Sequence, residues 1–211
     1  MFRPGRIILL LILALGGYGL FFQTPAGPHE LAAFDPEKVA DLEVEAWKAQ
    51  IDKSEFTLFL ISTQMMREQF RYTWFQAMRA GFYDSRVLIS ISEMTNRFER
   101  ALPDLEAIAA IEQSWTQKKF EPAQVSRLRL NWLASNRMPG QDASDNVASI
   151  MADDYAARAN VGPDRVAGFA EYRVQAMKMR DDPNTKPDWN QIKRALVEGY
   201  KSLKAGLTVK K

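Results

Sequence analysis

The chain has 211 residues, 46% of them hydrophobic and 26% charged, enough to bury a core in one domain or at most two and too polar for a polytopic membrane protein. Of its 28 Lys and Arg, Arg3 and Arg6 precede an apolar segment, which leaves 26 cations against 26 Asp and Glu elsewhere. A neutral domain lacks the electrostatic footprint of nucleic-acid binding, so no nucleic-acid partner is expected.

The apolar segment runs uninterrupted from Ile7 to Phe22 as IILLLILALGGYGLFF. Its 16 residues fall just short of the roughly 17–25 of a spanning helix, but flanking residues extend it and Arg6 can snorkel to the headgroups. The segment predicts a membrane anchor over residues 1–22, with Ile7, Leu11, Leu15, Tyr18, Phe21 and Phe22 as its lipid contacts and the aromatic end as an interfacial belt. A cleaved secretory signal processed near Thr24-Pro25-Ala26 and a buried helix are the alternatives. Arg3 and Arg6 on one flank, against His29, Glu30 and Asp35 on the other, place the N-terminus in the cytoplasm and the domain outside, in a bacterium the periplasm.

Pro25, Gly27 and Pro28 mark residues 23–35 as a tether, and from there to about 206 the pattern is helical. Asp35-Pro36-Glu37 supplies an N-cap, a proline at the first helical position and an acid in the first turn of a helix reaching about Asp52, with Val39, Leu42, Ala46 and Trp47 on its apolar stripe. Ser54 and Glu55 open a second helix with Phe56, Phe59, Leu60, Thr63, Met66 and Phe70 on one stripe, and the short turn between the two implies an antiparallel pair. A third helix is predicted from about Thr73 to Arg100, carrying Trp74, Met78, Phe82, Val87, Ile91 and Phe98. Pro103 and Pro122 restart helices through Ile108 and Trp115 and through Leu128 and Trp132. Met138-Pro139-Gly140 closes the latter, and a polar run leads into a shorter helix ending near Asn160. Gly162-Pro163-Asp164 starts another through Phe169, Tyr172 and Met177; Asp188 with Gln191 caps a last one through Leu196 and Tyr200, before a basic tail at 207–211. The expectation is an all-α fold: one N-terminal transmembrane helix and a bundle-like domain of about seven helices at 36–206, with no strand.

The chain has no Cys and one His, His29 in the tether. Disulfides, thiolate zinc sites, iron–sulfur clusters, Glu-x-x-His di-iron bundles and Ser-His-Asp triads lack their residues, and neither GxGxxG nor GxxxxGK[ST] occurs. No cofactor, metal or catalytic residue is expected. Asp142, Asp145, Asp153 and Asp154 are the remaining acidic candidates, without the alternating ligands of a calcium loop, and Asp142 reads as a helix cap. Glu43 and Trp47 lie one turn apart, as do Arg67 and Arg71, and Glu43 is expected to meet Arg67 across the first helix pair, fixing its register or lining a pocket. Trp74 and Trp132 join Glu43, Trp47 and Arg67 as candidate interaction or pocket residues, since Trp serves both cores and interfaces. Lys193, Arg194, Lys201 and Lys204, followed by Lys210 and Lys211, complement the end of the last helix, or lie on an anionic membrane surface or against an acidic partner.

Phe34-Asp35-Pro36, Glu43, Trp47, Arg67-x-Gln69-Phe70, Leu102-Pro103 and the Trp132 segment give residues 34 to 137 a resemblance to an uncharacterised family of bacterial membrane-anchored all-helical proteins. The resemblance implies a helical domain and no assigned activity. The function expected is that of a non-catalytic, membrane-anchored accessory or scaffold subunit that stabilises or assembles a larger membrane complex, respiratory or photosynthetic for instance, with the membrane and other subunits as partners. A periplasmic ligand- or cofactor-binding module and an enzyme using carboxylates alone are the alternatives.

Overall fold

A computed structural model of the protein describes residues 16–19, 21–24, 31–93, 98–135 and 144–208. Among these residues every regular element is helical: α1 (Pro36–Ile51), α2 (Glu55–Phe70), α3 (Trp74–Glu93), a 3-10 turn (Phe98–Ala101), α4 (Leu102–Thr116), α5 (Pro122–Ser135), α6 (Ser144–Ala159), a second 3-10 turn (Pro163–Arg165), α7 (Ala167–Asp181) and α8 (Trp189–Leu207). The all-α expectation holds, with eight α-helices rather than about seven after the N-terminal segment. The third helix is described as far as Glu93, and Phe98, predicted to lie on it, begins a 3-10 turn; α6 is a full 16 residues rather than short.

The helix starts follow local chemistry. The Asp35 carboxylate accepts from the backbone N–H of Glu37 at 2.9 Å, with Pro36 following it, and Asp188 accepts from those of Asn190 and Gln191 at 3.0 and 3.1 Å. These bonds satisfy donors that have no partner within the first turn. Each helix packs on the next in sequence, and α8 returns to α1, so the eight close into a ring. The largest core lies between α1 and the helices α5 to α8, around Phe34, Trp47, Trp132, Met151, Phe169, Leu196 and Tyr200. Around α2, α3 and α4 the buried apolar residues divide into three smaller groups, centred on Leu105, on Tyr72 and on Leu58.

The α2–α3 pair is drawn close by Gly81: a Cβ there would stand 2.7 Å from the backbone nitrogen of Thr63 and 2.6 Å from its hydroxyl. The pair buries small or polar side chains, Ser62 and Thr63 from α2 and Ala77, Ala80 and Ser85 from α3, together with Leu58 and Met66 of α2. The predicted stripes of these two helices hold in part: Thr63, Met66, Val87, Ile91 and Phe98 are buried, whereas Phe56, Leu60, Trp74, Met78 and Phe82 are exposed. Tyr172, placed on the stripe of α7, is exposed as well.

The predicted span from Ile7 to Phe22 falls among the described residues only at 16–19, 21 and 22, where 16–19 are helical; Ile7, Leu11 and Leu15 lie outside them, as do His29 and Asp142. Among the described residues no helix is long and apolar enough to cross a membrane. Phe21 and Phe22 both pack on Phe75 of α3 at 5.6 Å between ring centroids, and the Arg67 guanidinium donates to the backbone carbonyl of Gln23 at 2.8 Å. The apolar segment therefore meets the domain at the corner where α2 turns into α3.

Candidate functional site

Four helices carry a charged residue in phase with their apolar stripes. Glu43 stands between Val39 and Trp47 on α1, Glu112 follows Leu105 and Ile108 on α4, Asp154 follows Val147 and Met151 on α6, and Arg173 lies between Phe169 and Met177 on α7. A charge in that phase is carried into the interior by the same periodicity that buries its apolar neighbours. Glu43, Glu112, Asp154 and Arg158 are all less than a tenth exposed. Burial of an ion costs several kcal/mol unless partners replace its water.

Glu43 has two partners. The Arg173 guanidinium reaches its Oε1 from Nη2 at 2.6 Å and from Nε at 2.7 Å, and the Tyr200 hydroxyl of α8 donates to its Oε2 at 2.7 Å. Arg158 binds two carboxylates: Nε and Nη2 donate to the Asp154 oxygens at 2.9 and 3.3 Å, and Nη1 donates to Glu112 at 2.9 Å. Trp132 of α5 links the two groups. Its indole N–H donates to Asp154 at 3.2 Å, while its ring lies 5.0 Å below the Arg173 guanidinium. Tyr155 lies under Arg158 at 4.2 Å and against Phe169, which in turn meets Tyr200. One connected set of charges and rings thus ties α1, α4, α5, α6, α7 and α8 together across the ring. A smaller set ties the rest, with the Asp84 carboxylate of α3 accepting from Arg129 of α5 at 2.8 Å and from Ser62 of α2 at 3.1 Å.

The electrostatics follow from burial and pairing. Burial works against the Arg158 cation, but Asp154 and Glu112 outweigh it and hold the group well above an ordinary arginine; Glu43 does the same for Arg173. Burial first, and then the charge of Glu43, push the Tyr200 phenol well above 10, and burial with Glu112 does so for Tyr72. The two arginines are permanent cations, and the two phenols hold their protons over the whole neutral range.

Beside Glu112 and Arg158 a cavity of about 20 Å³, walled by Leu31, Gln69, Phe70, Tyr155 and Leu203, has room for one water. Hollows of about 360 and 320 Å³ lie at the α1–α2 turn, around Gln50, Lys53 and Glu93, and between α6 and α7, around Ser149, Asp164 and Glu171. Neither is lined by a residue of the charge network.

The candidates named from sequence are only partly brought together. Glu43, Trp47 and Trp132 are buried in the main core, with the Arg180 guanidinium 4.5 Å above the Trp47 ring. The expected Glu43–Arg67 pair is corrected: Glu43 is taken by Arg173 and Tyr200, while Arg67 binds the carbonyls of Gln23 and Tyr72 and lies 4.4 Å over the exposed Trp74 ring. Asp153 is exposed while Asp154 is buried, so these neighbours do not act as a pair. Of the basic residues on α8, Lys193 pairs with Asp41, Lys201 with Glu198, and Lys204 donates to the carbonyl of Phe34 at 2.9 Å. Glu112, Arg158, Arg173 and Tyr200 are the network members that sequence reading did not single out, although their phase on the apolar stripes and the four-residue spacing of Asp154 and Arg158 are visible in the sequence.

Fold and site together define an all-α protein whose sequential helices close around a paired charge network. Comparison with protein families, characterised proteins and solved structures found no match for this chain.

Proposed function

We propose that this protein is a non-catalytic helical scaffold, an accessory subunit that stabilises or assembles a larger membrane complex. In this reading the Ile7–Phe22 segment is its span, the N-terminus is cytoplasmic and residues 36–206 lie on the opposite, periplasmic side. The observation that carries the reading is the mutual engagement of the interior charges. Glu43, Glu112 and Asp154 each accept from an arginine, and the space beside them has the size of one water. Charges so arranged hold six helices in register instead of facing a substrate. Anchoring is supported by the unbroken apolar run, its basic leading flank and its aromatic end.

The test is native purification. Membranes carrying the tagged full-length chain are solubilised in a mild detergent, sized on a native gel and analysed by mass spectrometry. A particle well above the 24.0 kDa chain, with integral membrane proteins in fixed ratio, is expected. A lone monomer in the membrane fraction overturns the scaffold role, and recovery in the soluble fraction overturns the anchor.

A further inference from the structure

The outer face of the α2–α3 pair is strongly apolar. Leu58, Met66, Val87 and Ile91 of the pair are buried, but beside the close approach at Gly81 other large apolar side chains point away, Phe56 at 72% and Phe82 at 49% exposure. Of the exposed large apolar residues among the described ones, all but Ile51 and Tyr172 lie on this pair or on the end of the N-terminal segment. Small residues at the helix contact and large apolar ones outside is the arrangement helices adopt against lipid.

Charge and continuity identify what covers this face. Between Trp74 and Arg86 the exposed positions of α3 are Trp74, Phe75, Met78, Arg79, Phe82 and Arg86, aromatic or apolar except for two arginines, with no acid among them. The guanidiniums of Arg79 and Arg86 lie over the rings of Phe75 and Phe82 at 5.6 and 5.4 Å, and Arg86 also reaches Asp104 of α4 at 3.2 Å. Aromatic side chains with arginines beside them suit the headgroup region, where the ring sits among the acyl carbons and the cation meets phosphate. The face begins where the apolar segment ends, since Phe21 and Phe22 pack on Phe75.

We infer that the outer face of α2 and α3 lies on the surface of an anionic phospholipid bilayer, so that the domain rests against the membrane on this side instead of hanging freely from its tether. This rests on the anchored reading proposed above and adds the orientation of the domain. The amphipathic surface would extend about 10 Å along α3 from Phe75 to Phe82, at 1.5 Å per residue, and the α7–α8 side would face water.

The absence of cysteine makes the test direct, because single-cysteine variants need no background removed. Full-length Phe82→Cys, Met78→Cys and Tyr172→Cys chains are labelled with an environment-sensitive fluorophore and reconstituted into phosphatidylcholine vesicles with or without phosphatidylglycerol. Quenching is read with a nitroxide lipid and with aqueous acrylamide. The labels at positions 78 and 82 are expected to be quenched severalfold more by the lipid nitroxide than the label at 172, and severalfold less by acrylamide. The contrast should strengthen with phosphatidylglycerol and weaken in an added Arg79→Gln background. Equal acrylamide access at 82 and 172, in protein that resists a carbonate wash, overturns the lipid face and leaves the anchor standing. Protection at 82 from both quenchers means that protein covers the face and also overturns the inference. Release of the chain by carbonate overturns the anchored reading itself.

Discussion

The pairs α7–α8 and α2–α3 are both built from neighbouring amphipathic helices, yet they leave very different numbers of large side chains outside. Between α7 and α8 the bulky residues go inward: Phe169 and Met177 meet Ile192, Leu196, Tyr200 and Leu203 in one continuous core, and Tyr172 is the large apolar side chain left outside. Between α2 and α3 the inward side mixes Leu58, Met66, Val87 and Ile91 with Ser62, Thr63, Ala77 and Ala80, while Phe56, Leu60, Trp74, Phe75, Met78 and Phe82 face out. The charges differ too: Arg173 of α7 is paired inside with Glu43 of α1, whereas on α3 Asp84 is buried against Arg129 but Arg79 and Arg86 lie over exposed rings. An apolar stripe therefore reports only that a helix has an apolar side. Which way that side points depends on what packs against the helix, and at Gly81 the backbone of α2 comes too close for any side chain.

The largest expected effect tests the charge cluster that α6 shares with α4, beside the α7–α8 core. Replacing Arg158 with Met leaves Asp154 and Glu112 buried without their cation, and loss of one partner from such a cluster costs about 3–5 kcal/mol. Urea denaturation is the measurement. A cost below about 1 kcal/mol would mean that water reaches the cluster and that it does not hold the ring together. The second effect falls on the α2–α3 pair. Gly81→Ala drives a methyl toward the Thr63 backbone and should cost about 1–3 kcal/mol, as overpacking does. Hydrogen exchange should place the loss in α2 and α3, with α7 and α8 keeping their protection.

How much of this was legible in the sequence differs between the two regions. Helix starts were readable, because Asp35, Asp188, Pro103 and Pro122 act within one turn of themselves. Helix ends were less so: Lys53, Arg71, Gln117 and Asn160 take the left-handed conformation at φ of 53 to 59°, a role glycine usually marks. Glu43 was recognisable as a candidate because it interrupts an apolar stripe. Its partner was not, since Arg173 and Tyr200 lie 130 and 157 residues away and only closure of the ring brings them near. Nearness in sequence favoured Arg67, which the end of the apolar segment occupies instead.

The next effect is one of pH. Tyr200 and Tyr72 are held well above 10 in the folded chain, by burial first and then by Glu43 and Glu112. In the unfolded chain both phenols titrate near 10. Below that pH both states carry the protons and the contribution to stability is complete; above it the folded state binds more protons, so stability falls as pH rises toward the folded pKa values. Tyr200→Phe gives up the hydrogen bond to Glu43, about 1–2 kcal/mol at neutral pH, but removes one of the two groups, so its alkaline decline should be shallower. Denaturation midpoints at pH 8 to about 11 give the comparison. An unchanged slope would mean that Tyr200 is reached by water.

The smallest effect bears most directly on the contrast between the regions. Phe169 and Phe82 are the same residue on comparable helices, buried in α7 and half exposed on α3. Truncating Phe169 to Ala should cost about 3–5 kcal/mol, whereas Phe82→Ser should change stability in detergent-free buffer by no more than about 0.5 kcal/mol. A side chain that contributes so little to the fold, kept on a surface with Phe75 and Met78 beside it, is explained by what the surface meets and not by the core beneath it. If Phe82→Ser instead destabilises the chain as much as Phe169→Ala does, the α2–α3 face is covered by the protein's own structure, and the difference between the two pairs disappears.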